Sequence, residues 1–439
     1  MNRPAPSGGS PWIGWIRRMR IPGILLVVAA VAACRTNAPL EGQGASPKQP
    51  LDTTLYVAFG LDRAELKDPK LQREFRRLGD ELEASFQELH PGVRLEQMAF
   101  AEDDMAEEIQ RRSRSGLGPD VILVQGNTAE TLYRQGLIRP LPFPNPTSNQ
   151  LRPELIPYVK ATPRQLFALP VSLQPQLACF DRRRIASPPA TLQELLAESS
   201  RGKRFGLSLS TADGAWTMGS LGALESIQLA LAGSPLSAEQ TARISTWLGW
   251  LHTADLQQRI TLVNDRKELL AALRSAELDW IPCQSHDVNV LRLDLGKHLG
   301  LAPLPAGPAG PATPISSVRV AALGQNSSGR QREAAEAMVP FLLSARIQRT
   351  LTIRNQAQLP ASAKVSLPVA SSANLAALLA AQDQAEAAQE LTNSLIALRG
   401  KQKGLDRILS QFLYGSLDAS EAAETLIQAL RPDPVGRPR

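Results

Sequence analysis

Aromatic side chains make up only 5% of the 439 residues, and the chain holds four histidines and three cysteines. So few rings leave little material for stacking on nucleic-acid bases or sugar faces. His90, His252, His286 and His298 show no ligand spacing. No His-Glu-x-x-His zinc motif, Gly-Lys-Ser phosphate loop or G-x-S-x-G elbow is present. "GLSLS" (206–210) lacks the final glycine. Neither a metal, a cofactor nor a catalytic residue is expected, and the chain does not read as an enzyme. No dense Lys/Arg stripe with interleaved aromatics occurs, so nucleic acid is not an expected partner. No apolar run is long enough to span a bilayer comfortably as a helix.

What is present begins with an export signal. Arg17, Arg18 and Arg20 precede the short apolar run "IPGILLVVAAVAA", which ends at Cys34. "VAAC" matches the lipobox of bacterial lipoprotein signals, in which the cysteine becomes the lipidated mature N-terminus. This predicts a signal peptide at 1–33, lipidation of Cys34, and a periplasmic protein anchored to a membrane. The alternative is an ordinary secretion signal with an incidental cysteine. The discarded segment carries four arginines and no acid, so the formal charge of +6 falls to +2. The basic balance is thus partly a property of the signal. Outside the cytoplasm Cys179 and Cys283 can pair as a disulfide. Each lies in an apolar strand-like stretch, so two buried free thiols are an equal alternative.

Residues 34–50 are polar and rich in Pro, Gly and Ala, and read as a flexible tether. "TTLYVAFG" then reads as a strand, and Asp68-Pro69 starts a helix with Phe75, Leu78, Leu82, Phe86 and Leu89 on one face. "VRLEQMAF" is a second strand, and a helix covers 104–115. In "GPDVILVQGNTAETLYRQGLIRPL" the run Val121–Val124 reads as a strand buried on both faces. Asn127 with Glu130 marks a helix start, and Gly136 its end. Gln125 and Asn127 then stand at the carboxyl edge of a sheet, where open α/β folds bind ligands. A β-α-β-α-β-α order points to a mostly parallel sheet flanked by helices. A second α/β unit follows, with strands in "FALPVSLQPQLACFD", "RFGLSLS", "ITLV" and "ELDWIPCQ" and a capping box at Ser237 and Gln240. "LPAGPAGPATP" (304–314) is a connector. Beyond it lie a strand, a helix carrying Ala335, Met338, Phe341 and Leu342, and alanine-rich helical sequence.

Five stretches in this order resemble the extracellular solute-binding proteins of ABC importers, of the maltose-binding-protein-like type. They are "FQELHPGVRLE", "GLGPDVILVQGNTAETLYRQGLIRPL", "LFALPVSLQPQLACFDRRRI", "LLSARIQRTLTIRNQAQLPAS" and "LDRILSQFLYGSLDASEAAETLIQAL". Phe180 departs from the tyrosine expected at the crossover, and Ala178-Cys179 replace larger apolar residues. The resemblance implies an α/β, two-lobed periplasmic-binding-protein-like fold (type II) with a hinge and an interlobe cleft. Lobe 1 would comprise 51–173 and 304–371, lobe 2 174–303 and 372–430, with a polar tail at 431–439.

The same resemblance implies a monomeric receptor that captures a sugar, oligosaccharide or polyol by hinge closure and delivers it to ABC permease subunits. A sensor or scaffold lipoprotein of this fold, or a binder of peptides or polyamines, is the alternative; a hydrolase would need a nucleophile that the sequence does not offer. Carried over position by position, the ligand-binding residues would be Phe59, Gly60, Gln125 and Asn127 in the first lobe and Gln174 and Gln176 at the crossover. Trp216, Gln284, Ser285 and His286 would come from the second lobe, and Asn326 from the return to the first. Trp247 and Trp250 fall in a helix and read as core, while the facing of Trp280 is open.

Overall fold

A computed structural model describes residues 51–386, 389, 392 and 401–432. The signal peptide, Cys34, the tether and positions 433–439 of the tail lie outside the described residues.

The chain opens with β1 (Thr53–Leu61), α1 (Arg63–Lys67), α2 (Pro69–Gln87), β2 (Val93–Ala101), α3 (Met105–Arg114), β3 (Val121–Gln125) and α4 (Gly126–Arg134). Asp68 caps α2 by accepting from Lys70 N and Leu71 N, with Pro69 at the first helical position, as its sequence predicts. For α4 the predicted cap, Asn127, lies two residues too late. Gln125 is the N-cap and Gly126 the first helical residue, and no side chain caps the helix. Gly136, at φ 69°, takes the left-handed conformation that ends it.

β4 (Leu169–Gln174) passes through Pro175 into β5 (Gln176–Asp181). Proline has no N–H to offer a ladder, so the chain changes sheets there. The second sheet takes β6 (Phe205–Ser208), β7 (Ile260–Val263), β8 (Trp280–Gln284) and β9 (Leu299–Ala302). Between them run α5 (Leu192–Ser200), α6 (Ala238–Asp255), α7 (Arg266–Arg274) and α8 (Val288–Leu295). The capping box before α6 forms, with Ser237 and Gln240 bonding each other's backbone N–H. The connector after β9 follows the second sheet's elements: Ala306 N donates to Ala190 O and Thr313 N to Trp216 O, each at 2.9 Å. β10 (Ser317–Gly324), α9 (Gly329–Leu342), α10 (Ala345–Asn355) and β11 (Leu359–Pro360) rejoin the first sheet, and α11 (Ala373–Glu386) packs on β9 and β5. α12 (Gln402–Leu413) and α13 (Ala419–Leu430) complete the second lobe's helical face.

The two sheets share one plan. The first runs β2-β1-β3-β10-β4, edged by β11, and the second runs β7-β6-β8-β5-β9. In each, one interior strand opposes both of its neighbours: β10 is antiparallel to β3 and β4, and β5 to β8 and β9; the edge strand β11 is also antiparallel to β4. Both reversed strands, β5 and β10, are the ones that arrive from the other lobe. The sheets are therefore mixed, and the direction of these strands matters below.

Side chains alternate across the second sheet with period two. Leu177, Cys179, Ile281 and Cys283 join the core that continues into the first lobe. Ala178, Phe180, Phe205 and Trp280 face a separate core beneath α6, α12 and α13. Cys179 and Cys283 are disulfide-bonded, with Cα atoms 5.8 Å apart. The bond joins the neighbouring strands β5 and β8, which settles the choice left open between paired and free thiols. Among the described residues no helix is long and apolar enough to cross a membrane.

Candidate functional site

A cavity of about 1960 Å³ lies where the carboxyl ends of strands from both sheets converge. That exceeds the ~300–1,000 Å³ of an ordinary small-molecule pocket.

In the first lobe the wall forms from the turns after β1, β2 and β3. Glu102 Oε1 accepts from Gln125 N at 2.9 Å. Its other oxygen, Oε2, is buried without a partner and lies 2.0 Å from where a Cβ on Gly60 would stand. Only glycine admits the carboxylate so close to the backbone. Arg319 donates to the Gly60 and Leu123 carbonyls, knitting β10 to the ends of β1 and β3.

The second lobe contributes a buried charge cluster. Asp287 Oδ2 accepts from Gln284 N at 2.8 Å and from Arg266 Nη1. Burial disfavours the charge on Asp287, but Arg266 and the hydrogen bonds outweigh it and hold the carboxyl below its usual range. Burial likewise works against Arg266, and Asp287 and Asp213 more than compensate, raising its pKa. Asp213, in the turn after β6, has its pKa raised by burial, which Arg266 only partly offsets. Across the cleft, Asn289 Nδ2 lies 3.5 Å from Glu65 Oε1, and Lys267 Nζ 2.7 Å from Asp103 Oδ2.

His286 sits beside this cluster, its Nε2 3.4 Å from Arg266 Nη2 and 3.5 Å from Asp287 Oδ1. Burial, with Arg266 and Arg319 nearby, pushes its pKa down to about 4 against the pull of Asp287. The unfolded chain takes up the proton first, near pH 6.5, so stability is complete above that value and declines between it and about 4. With the ring partly open to the cleft, the expected loss between pH 7 and 5 is about 1–2 kcal/mol. Urea midpoints at the two pH values should differ by that much less in His286→Asn; an unchanged difference would refute this account.

Of the residues predicted from sequence, Phe59, Gly60, Gln125, Asn127, Gln174, Gln284 and His286 line the cavity. Four do not. Gln176 is 1% exposed and buttresses the wall from behind, donating to Asp213 O at 2.7 Å. Ser285 is fully buried, its N–H bonded to Pro175 O. Trp216 opens a helical turn rather than sitting in a loop, and packs edge-on to Trp280 in the second core, 1% exposed. Asn326 lies at the far edge of the first sheet, 3.4 Å from Ser113 O. Because β10 runs against its neighbours, its carboxyl end points away from the cleft and its start, with Arg319 paired to Gln125, points into it. The same reversal explains why Arg319 escaped notice as a charge within an apolar strand. Asp213, Arg266 and Asp287 were also missed, though each follows a predicted strand within a few residues.

None of Trp216, Trp247, Trp250 and Trp280 lines the cavity. Trp247 and Trp280 are core, the former donating to Thr217 Oγ1 at 2.8 Å. Among the described residues no group of three or more His, Cys, Asp or Glu could hold a metal.

A family profile described as bacterial extracellular solute-binding protein matches residues 81–380. The fold is similar to the GacH receptor of Streptomyces glaucescens, crystallised unliganded and with acarbose (16% identity over 86% of this chain and 97% of that one, TM-score 0.62). It is similar to a solute-binding protein of Thermotoga lettingae bound to α-D-tagatose (16%, 86% and 99%, TM-score 0.60). The maltose-maltodextrin binding protein of Alicyclobacillus acidocaldarius is a further match (17%, 86% and 100%, TM-score 0.59). No curated protein matches the sequence.

Proposed function

Since the chain belongs to the bacterial extracellular solute-binding proteins, we propose that it captures a sugar, oligosaccharide or polyol and delivers it to an ABC importer. Closure of the lobes by hinge motion would bury the solute between the strand ends. The observation that carries this reading is the set of buried polar atoms without partners around the cavity: Glu102 Oε2, Gln125 Oε1, Ser172 Oγ, Gln284 Oε1 and His286 Nδ1. An unsatisfied buried acceptor costs about 1–3 kcal/mol, and a hydroxylated guest offsets that cost on binding. Acarbose and α-D-tagatose in two of the matched structures, and the maltose-maltodextrin binding named for the third, support a carbohydrate. The export signal and lipobox support an extracytoplasmic receptor anchored through Cys34.

Thermal-shift screening of the purified protein against sugars, polyols, polyamines and peptides tests the proposal. A true ligand at a hundred times its Kd should add about 2.7 kcal/mol of stability, and the scattering radius of gyration should fall as the lobes close. Stabilisation by a peptide or a bare polyamine, with none from any carbohydrate, would overturn the sugar reading. An unchanged radius with bound ligand would overturn closure.

A further inference from the structure

Beside the cleft, with Arg292 common to both walls, lies a second cavity of about 600 Å³. Arg182, Arg292 and Lys297 line it, and among the described residues no Asp or Glu does. Backbone pairing brings two of these cations together. Arg182 directly follows β5, and its N–H donates to His298 O at 2.8 Å, one residue from Lys297. Gly296, at φ 54°, ends α8 and leads into the turn that carries Lys297. The neighbouring arginines are committed, Arg183 to Asp181 and Arg184 to Asp279. Arg182 and Lys297 have no side-chain partner among the described residues. Arg292 is half-buried, and its Nη1 donates to Asn355 O at 3.1 Å with no carboxylate in ion-pair reach. Burial lowers its pKa, and the charge of Glu74 offsets this only in part. The neutral groups add donors. Gln356 Oε1 already accepts from Ser372 Oγ at 3.3 Å, which leaves its Nε2, and the Asn374 amide is unpartnered among the described residues. Three like charges without a counter-charge repel one another, and an anion between them removes that cost.

We propose that this cavity binds a phosphate-bearing anion, with the guanidinium groups of Arg182 and Arg292 and the ammonium of Lys297 as its charge partners. Planar guanidinium forks match the oxygens of a phosphate, and an ammonium adds a point charge with three donors. The volume falls within the ~300–1,000 Å³ of small-molecule sites, so an organic phosphate ester fits as well as the bare ion. A free ester and a phospholipid headgroup share this chemistry. The site is separate from the carbohydrate reading and does not depend on it.

The test uses the full-length chain purified in detergent, with ionic strength held constant by sodium chloride. Inorganic phosphate and glycerol 3-phosphate are titrated calorimetrically. For the headgroup, Tm is compared in the same micelles doped with phosphatidylglycerol or with phosphatidylcholine. Binding of the soluble probes assigns a free anion, and a Tm raised only by phosphatidylglycerol assigns a lipid headgroup. In either case Arg182→Gln with Lys297→Gln should weaken binding at least tenfold, or abolish the Tm rise. Both side chains are exposed, so the apo Tm should not fall. Arg330→Gln with Lys364→Gln removes two exposed cations outside the lining and should change the affinity less than twofold. Three results would overturn the site: no response to any phosphate probe, binding that survives Arg182→Gln with Lys297→Gln, or equal losses in the two double variants. Each would leave the carbohydrate reading standing.

Discussion

Replacing Cys179 and Cys283 together by alanine is expected to cost about 2–5 kcal/mol of stability, visible as an earlier guanidinium midpoint. The bond closes a segment of 104 residues that contains β5, β6, β7 and β8, most of the second sheet. Cross-linking so long a loop removes much of the freedom of the unfolded chain, about 4.7 kcal/mol for 100 residues in the entropic treatment. Both sulfurs are fully buried, so the bond is also shielded from reductant while the lobe stays folded. The wild type should lose the same stability when unfolded with reductant present, and the double variant should be indifferent to reductant. Matching midpoints for wild type and variant under oxidising conditions would mean that the thiols are not paired in the native protein.

Arg266→Ala is expected to cost about 3–5 kcal/mol, because it strands Asp287 in a buried site and takes from Asp213 the attraction of the guanidinium. The pH dependence gives a second signature. In the wild type the depressed carboxyl of Asp287 contributes stability that is present above the ordinary carboxylate pKa and lost as pH falls through the folded value. Without the guanidinium, burial raises that carboxyl instead. The variant then gains from Asp287, on acidification, a contribution that the wild type lacks, so the gap between them narrows toward low pH. Melting curves from pH 4 to 8 would measure it. The paired change Arg266→Met with Asp287→Leu should be milder than Arg266→Ala, since neither partner is left charged and alone. A single variant as stable as the wild type at neutral pH would rule out the cluster as a structural pair.

Much of this molecule was legible before folding was considered. Asp68-Pro69, the Ser237–Gln240 box and Gly136 act through contacts within a few residues, so local sequence suffices to place them. Val121–Val124 is apolar throughout because both faces are covered, and it forms a buried strand. The seven predicted residues that line the cavity stand at or just past strand ends, and a strand end can be read from where an apolar run stops.

The failures share a different character. Trp216 stands among Gly, Ser and Thr, and nothing within that loop reveals a second tryptophan, 64 positions further on, waiting to pack against it. Asn326 follows a strand end just as Gln125 does, yet its strand is one of the two that enter reversed from the other lobe.

The sequence by itself determined the order of the elements, the caps that bound them and which runs would be buried, because those follow from hydrophobic period and short-range bonding. Only the tertiary structure decided which strand ends share an edge, that Cys179 meets Cys283, and that Arg266, Asp213 and Asp287 gather in one charge cluster. Those outcomes depend on strand direction and on contacts between segments distant in the chain, and no local pattern encodes either.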